Sequence, residues 1–127
     1  MFKEAIDLIE ARLFDNWVTT PIDWDNVEYT PIIGTSFIRL QVEWTDSNAV
    51  SIGGRARGDG YIDISIFVPA NTGSSQIADL ADSLSTLYNR WDTGQLRFKI
   101  ARTIRVGMQH NWYQLKVIIP FTYEECN

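Results

Sequence analysis

The stretch GGRARGDGYIDISIFVPANTGSSQIADLADSLSTLY, residues 53–88, contains three successive patterns that together indicate the fold. Its glycine-rich start, 53–60, has a composition typical of a flexible loop or a long hairpin tip. Apolar and polar residues then alternate over 61–68, which predicts a strand with one buried side, ended by Pro69. Turn and capping residues follow, and apolar residues then recur at helical spacing, namely Ile77, Leu80, Ala81, Leu84, Tyr88 and Trp91. We expect this helix to end near Gly94.

The flanking segments continue the same two periodicities. Helical spacing predicts an amphipathic helix over 2–14. Alternation and β-type composition predict strands or extended segments at 22–27, 38–44, 49–52, 96–100 and 113–121. Turns are expected at 45–48 and 107–111.

This order of elements predicts a single α+β domain that spans residues 1–127, with the flexible loop at about 53–60. The simplest arrangement is a mostly antiparallel, mixed sheet of about five or six strands with two helices packed on one face. Tyr61, Phe67 and Tyr113 are expected on the opposite face of the sheet, where another subunit would cover them.

Composition limits the possible partners and compartments. The chain has 127 residues, a net charge of −5 and a pI of about 4.7, which argues against a surface that binds nucleic acid throughout. Cys126 is the only cysteine, so an internal disulfide is impossible and folding in a reducing cytoplasm is expected. Charges interrupt the first ten residues, so we expect neither a signal peptide nor a membrane anchor.

The residue constellations of common enzymes are missing from the sequence. His110 is the only histidine, and the glycines of 53–60 precede a strand and lack the Gly-Lys-Ser/Thr ending of a phosphate loop. The carboxylate pairs Asp23/Asp25 and Asp79/Asp82 are expected as solvated charges, although the first pair could also hold a cation. We therefore predict a protein that is not an enzyme, with no metal and no cofactor. A small enzyme or ligand-binding domain that uses Asp23, Asp25 or His110 is the alternative.

Basic residues concentrate in two places. Arg55 and Arg57 lie in the predicted loop, and a second group follows in and after the strand at 96–100, namely Arg97, Lys99, Arg102 and Arg105. This second group is either an ordinary charged sheet surface or a positive strip that meets an acidic neighbouring subunit or DNA.

The middle of the chain resembles the tail terminator proteins of long-tailed bacteriophages. The resemblance is carried by Arg55-Ala56-Arg57, by Gly60, by the run from Ile64 to Gly73, by Ala78 and Ala81-Asp82, and by Leu87-Tyr88. It implies a structural virion protein at the head–tail junction, assembled in the host cytoplasm. Such a protein forms a ring, typically a hexamer, that caps the tail tube, ends tube polymerisation and offers a surface to the head–tail connector.

The resemblance implies several contacts. The partners would be further copies of the chain, the tail tube protein and the connector, with DNA passing through the ring without sequence-specific binding and with no membrane involved. We expect the subunit interface to use the arm at 53–60 and the sheet face opposite the helices, specifically Arg55, Arg57, Asp59, Tyr61, Phe67 and Tyr113. Another neck protein, acting in head closure or tail completion, is the alternative of the same kind.

Overall fold

A computed structural model describes residues 2–25, 27–31, 34–49, 55–70, 75–109 and 111–126. It contains two helices, α1 (Phe2–Asn16) and α2 (Ser75–Tyr88). Six strands form one sheet, namely β1 (Ile22–Trp24), β2 (Phe37–Ala49), β3 (Arg55–Pro69), β4 (Leu96–Phe98), β5 (Arg102–Gln109) and β6 (Trp112–Cys126). These elements confirm the predicted α+β fold with a mixed sheet.

The sheet is built around β3, which pairs with β2 on one side and with β6 on the other, both antiparallel. β1 adds to the far side of β2 as a parallel strand and forms one edge of the sheet. β4 and β5 pair successively with the far side of β6, β4 at residues 121–123 and β5 at 112–118. The opposite edge of the sheet is therefore formed by β4 and β5, which lie end to end along β6 and are separated by residues 99–101.

The even-numbered side chains of β3 face the helices and form the centre of the core. Ile62, Ile64, Ile66 and Val68 are all fully buried, as the alternation over 61–68 predicts. Matching residues of β2 and β6 lie beside them, and both helices cover this face with their buried side chains, which are Ala5, Ile9, Leu13, Ile77, Leu80, Ala81, Leu84 and Tyr88. Burial of this apolar surface is the main stabilising term of the fold.

Tyr88 joins the two helices at the end of α2. Its hydroxyl donates a hydrogen bond of 2.6 Å to the carbonyl oxygen of Ile9, and Arg12 donates one of 2.7 Å from Nε to the carbonyl oxygen of Leu87. The guanidinium of Arg12 also lies 4.4 Å from the ring centre of Trp91. Burial raises the pKa of the Tyr88 phenol above its ordinary value of 10.0.

The residues predicted as a flexible loop lie partly in the sheet, which corrects that prediction for 55–60. Arg55–Gly60 form the first part of β3, because β2 and β6 both continue beside them and supply backbone partners on both sides. The predicted turn at 45–48 is likewise part of β2. Residues 53 and 54 lie outside the described residues.

Two further differences concern the second half of the chain. α2 ends at Tyr88, earlier than predicted, and the chain turns at Arg90, which has a positive φ of 59°, so Trp91 follows the helix. Residues 102–109 form a strand that the sequence did not predict. Ile104, Val106 and Met108 alternate with Thr103, Arg105 and Gly107, but all three apolar side chains are exposed, so β5 has no buried side of the kind that marks a half-buried strand.

A β-bulge interrupts the pairing of β2 with β3. The register shifts between Trp44 and Asp46, and the extra residue, Thr45, donates a hydrogen bond of 3.0 Å to the carbonyl oxygen of Asp59. Gly60 lies opposite Trp44, and a Cβ atom there would collide with the carbonyl oxygen of Glu43 and lie 3.1 Å from Cζ of Phe121. The bulge therefore requires glycine at this position because of space.

Gly60→Ala is expected to destabilise the protein by about 1–3 kcal/mol, since the added methyl group must displace backbone. Urea denaturation of the purified variant measures this loss. Ser83→Ala, on the exposed side of α2, is the control and should change stability by less than about 0.5 kcal/mol. Equal stability of Gly60→Ala and the wild type would contradict the packing described at the bulge.

Tyr88→Phe is expected to lower the free energy of unfolding by about 0.5–1.5 kcal/mol, because it removes one buried hydrogen bond. The raised pKa means that the folded state holds the phenol proton more tightly than the unfolded state. Stability linked to Tyr88 is therefore complete below about pH 10 and is lost as the pH rises further. Denaturation curves between about pH 9 and 11 should show a weaker pH dependence for Tyr88→Phe than for the wild type or for Tyr113→Phe.

Candidate functional site

The acidic residues considered for a metal or an active site lie either in an ion pair within the sheet or on the exposed surface. Asp23 accepts a hydrogen bond of 2.7 Å from Nε of Arg39 and so fastens β1 to β2. Asp79 and Asp82 lie on the exposed side of α2. Within the described ranges, no group of three or more His, Cys, Asp or Glu residues is arranged to hold a metal ion. His110 lies outside the described residues.

Between Arg57 and Pro69, the odd-numbered residues of β3 lie on the face of the sheet opposite the helices, which we call the outer face. Four of the predicted interface residues, Arg57, Asp59, Tyr61 and Phe67, belong to this set. Asp59 accepts a hydrogen bond of 2.8 Å from Oγ1 of Thr122 and forms an ion pair of 3.3 Å with Arg57. The structure therefore brings these predicted residues together along one strand. Arg55 pairs with Cys126 at the start of the same strand.

Phe67 is covered within its own subunit. Its ring stacks on Phe37 with centroids 4.6 Å apart, and the edge of Trp112 meets Phe37 at 5.1 Å. The guanidinium of Arg39 lies 5.2 Å from the Phe67 ring centre, and only 8% of Phe67 is exposed. The aromatic cluster therefore stabilises the outer face without a second subunit.

Tyr113 was expected beside Phe67, and the structure corrects this expectation. Tyr113 is the register partner of Val68 and lies on the helix side of the sheet, half-buried against the core. It contacts Arg105, whose guanidinium lies 5.9 Å from its ring centre. Strand alternation explains the difference, since 113 has the same parity as the buried residues Val117 and Ile119.

The centre of the outer face is polar and closed by its own contacts. Lys116 donates a hydrogen bond of 3.2 Å from Nζ to Asp63. The adjacent Ser65 and Gln114 are buried although no helix covers them. The ends of the outer face and the edges of the sheet are therefore the accessible parts of the sheet.

The predicted basic group forms one edge of the sheet. Lys99, Arg102 and Arg105 are exposed on β5 and the link before it, while Arg97 lies 3.8 Å from Asp92. Exposed apolar side chains accompany them, so we call the following set the basic edge: Lys99, Ile100, Arg102, Ile104, Arg105 and Met108. An open groove of about 660 Å³ runs from Lys99 and Arg102 across Tyr61 and Pro120.

Acidic and apolar residues lie together on the opposite side of the molecule. The sequence did not lead us to predict this surface. Trp24 of β1 borders two concavities, one lined by Asp25, Val27 and Glu28 and the other by residues of α1. We call the following set the acidic edge: Glu10, Phe14, Asp15, Asp25, Val27 and Glu28. The excess of acidic residues before position 29 was the sequence signal that could have identified it.

Burial raises the pKa of the Glu10 carboxyl, and the negative charges of Asp7 and Asp25 raise it further. Asp25 follows β1 whereas Glu10 belongs to α1, so the fold brings negative charges from two elements close together on this surface. The described helices include none that is long and apolar enough to cross a membrane.

Comparison with known proteins identifies the family of this chain. No curated protein matches the chain. A solved structure matches with a TM-score of 0.69 and 17% identity, over 92% of this chain and 94% of the other, which supports the fold alone. The family model described as phage tail terminator protein matches residues 5–121. That match covers nearly the whole domain, and the chain therefore belongs to the phage tail terminator family.

Proposed function

We propose that this protein forms a ring on the end of the phage tail tube, ends tube polymerisation there and provides the surface to which the head attaches. The family match over residues 5–121 is the observation that carries this proposal. The protein acts through contacts with other virion proteins and has no catalytic role. Its partners are further copies of itself, the tail tube protein and the head–tail connector.

The surface described above supports an assembly role. The core and the centre of the outer face are closed by contacts within the chain, whereas both sheet edges expose apolar side chains beside charges. Exposed apolar residues next to charged ones are typical of protein–protein interfaces. Arg57, Asp59 and Tyr61, on the accessible end of the outer face, remain candidates for contact with a neighbouring subunit or the tube.

Deletion of the gene from the phage tests the proposed function. Without a terminator, tube subunits continue to add, so electron microscopy of lysates should show tails longer than the wild type and not joined to heads. Expression of the wild-type chain in trans should restore tails of uniform length. A lysate with finished tails of normal length beside filled heads would contradict termination and would indicate a protein that joins heads to tails.

A further inference from the structure

The two edges of the sheet have opposite charges. Residues 96–109 contain four basic and no acidic residues, whereas residues 4–28 contain seven acidic residues and one basic residue. The fold places the first set on β4, on β5 and on the link between them, and it places Asp23, Asp25 and Glu28 on or next to β1, at the other end of the strand order. Glu10 and Asp15 of α1 lie beside Trp24 of β1 around one concavity. The chain is thus strongly polarised across the width of its sheet.

The charges that define the two edges are available to a partner. Among the described residues, neither Lys99 and Arg102 on the basic edge nor Asp25 and Glu28 on the acidic edge has an oppositely charged group within 4.0 Å. All four residues are exposed. A partner with opposite charge would therefore gain attraction at either edge without breaking an ion pair within the subunit.

Apolar side chains accompany the charges on both edges. Ile100 is 60% and Met108 56% exposed on the basic edge, and Phe14 is 70% and Val27 59% exposed near the acidic edge. Each edge also has a concavity, the groove beside Lys99 and Arg102 and the one beside Asp25 and Glu28. Apolar contacts surrounded by complementary charges are the usual composition of a specific interface.

We infer that the basic edge of one copy of this chain docks on the acidic edge of the next copy. Contact between two like edges is disfavoured, because it would bring together several charges of the same sign. The interface is therefore heterologous, with two different surfaces on each subunit, and successive contacts of this kind close into a ring when the rotation allows it. The inference rests on the proposed ring and identifies the surfaces that form it.

Charge reversal in a phage that lacks the gene tests this inference. Two variants are supplied in trans, Lys99→Glu with Arg102→Glu on the basic edge, and Asp25→Lys with Glu28→Lys on the acidic edge. Each variant alone gives positions 99 and 102 the same sign of charge as positions 25 and 28, so infectious particles should fall by about 100-fold or more. A chain with all four substitutions again has opposite charges at these two pairs of positions, with the signs exchanged, and should restore the yield to within about tenfold of the wild type.

Two controls separate docking from folding and from total charge. Asp79→Lys with Asp82→Lys on α2 changes the net charge as much as the acidic-edge variant does and should leave the yield unchanged. Thermal melting of each purified variant checks that it folds. Normal yields from both single-edge variants would overturn the inference, and so would failure of the folded four-substitution chain to restore the yield.

Cross-linking of purified tails provides a direct readout. A zero-length carbodiimide joins amines to carboxylates, and Lys99 is the only lysine of the basic edge. Mass spectrometry should find Lys99 joined to Asp25 or Glu28, a link that must connect two copies because the residues lie at opposite edges of one subunit. Cross-links from Lys99 exclusively to other proteins would overturn the inference. Tail length in the deletion strain tests termination separately, so the two proposals can fail independently.

Discussion

The structure depends on the pairing of β3 along its whole length. All fifteen residues, Arg55–Pro69, have partners in β6, and most also have partners in β2. Because a strand presents alternate residues to opposite faces, this pairing sends the even positions into the core and the odd positions to the outer face. A shift of one residue would exchange the isoleucines with Asp63 and Ser65, so burial of the isoleucines fixes the register.

The same pairing leaves the edges of the sheet and the ends of its outer face as the accessible parts of the sheet. The helices cover one face, and the other face is closed by the aromatic cluster around Phe37 and by the contact of Lys116 with Asp63. Within the sheet, the strands and loops at its borders are therefore open to contact with other proteins. This arrangement fits a family whose function lies in assembly, since a structural subunit needs defined contact surfaces and no catalytic pocket.

The sequence predicts those elements whose side chains form a clear periodic pattern. The buried strand at 61–68 and both amphipathic helices have such patterns and are predicted correctly as elements, although β3 already begins at Arg55 and α2 ends at Tyr88 instead of near Gly94. Residues 55–60 lack an apolar pattern, and the alternating Ile104, Val106 and Met108 of β5 remain exposed, so the place of both segments in the sheet depends on backbone pairing with other strands. The candidate surfaces divide in the same way: the cluster of basic residues is visible in one segment, whereas the acidic edge combines α1 with β1 and becomes apparent only in the fold.

The exposed strand β5 has a consequence for how the domain moves. It is attached to β6 mainly through backbone hydrogen bonds, and its residues 102–106 contribute no fully buried side chain. Elements of this kind open locally, and their amide hydrogens exchange with solvent much faster than those of core strands such as β3. A neighbour that covered β5 would slow this exchange, and the strand would then gain order on assembly.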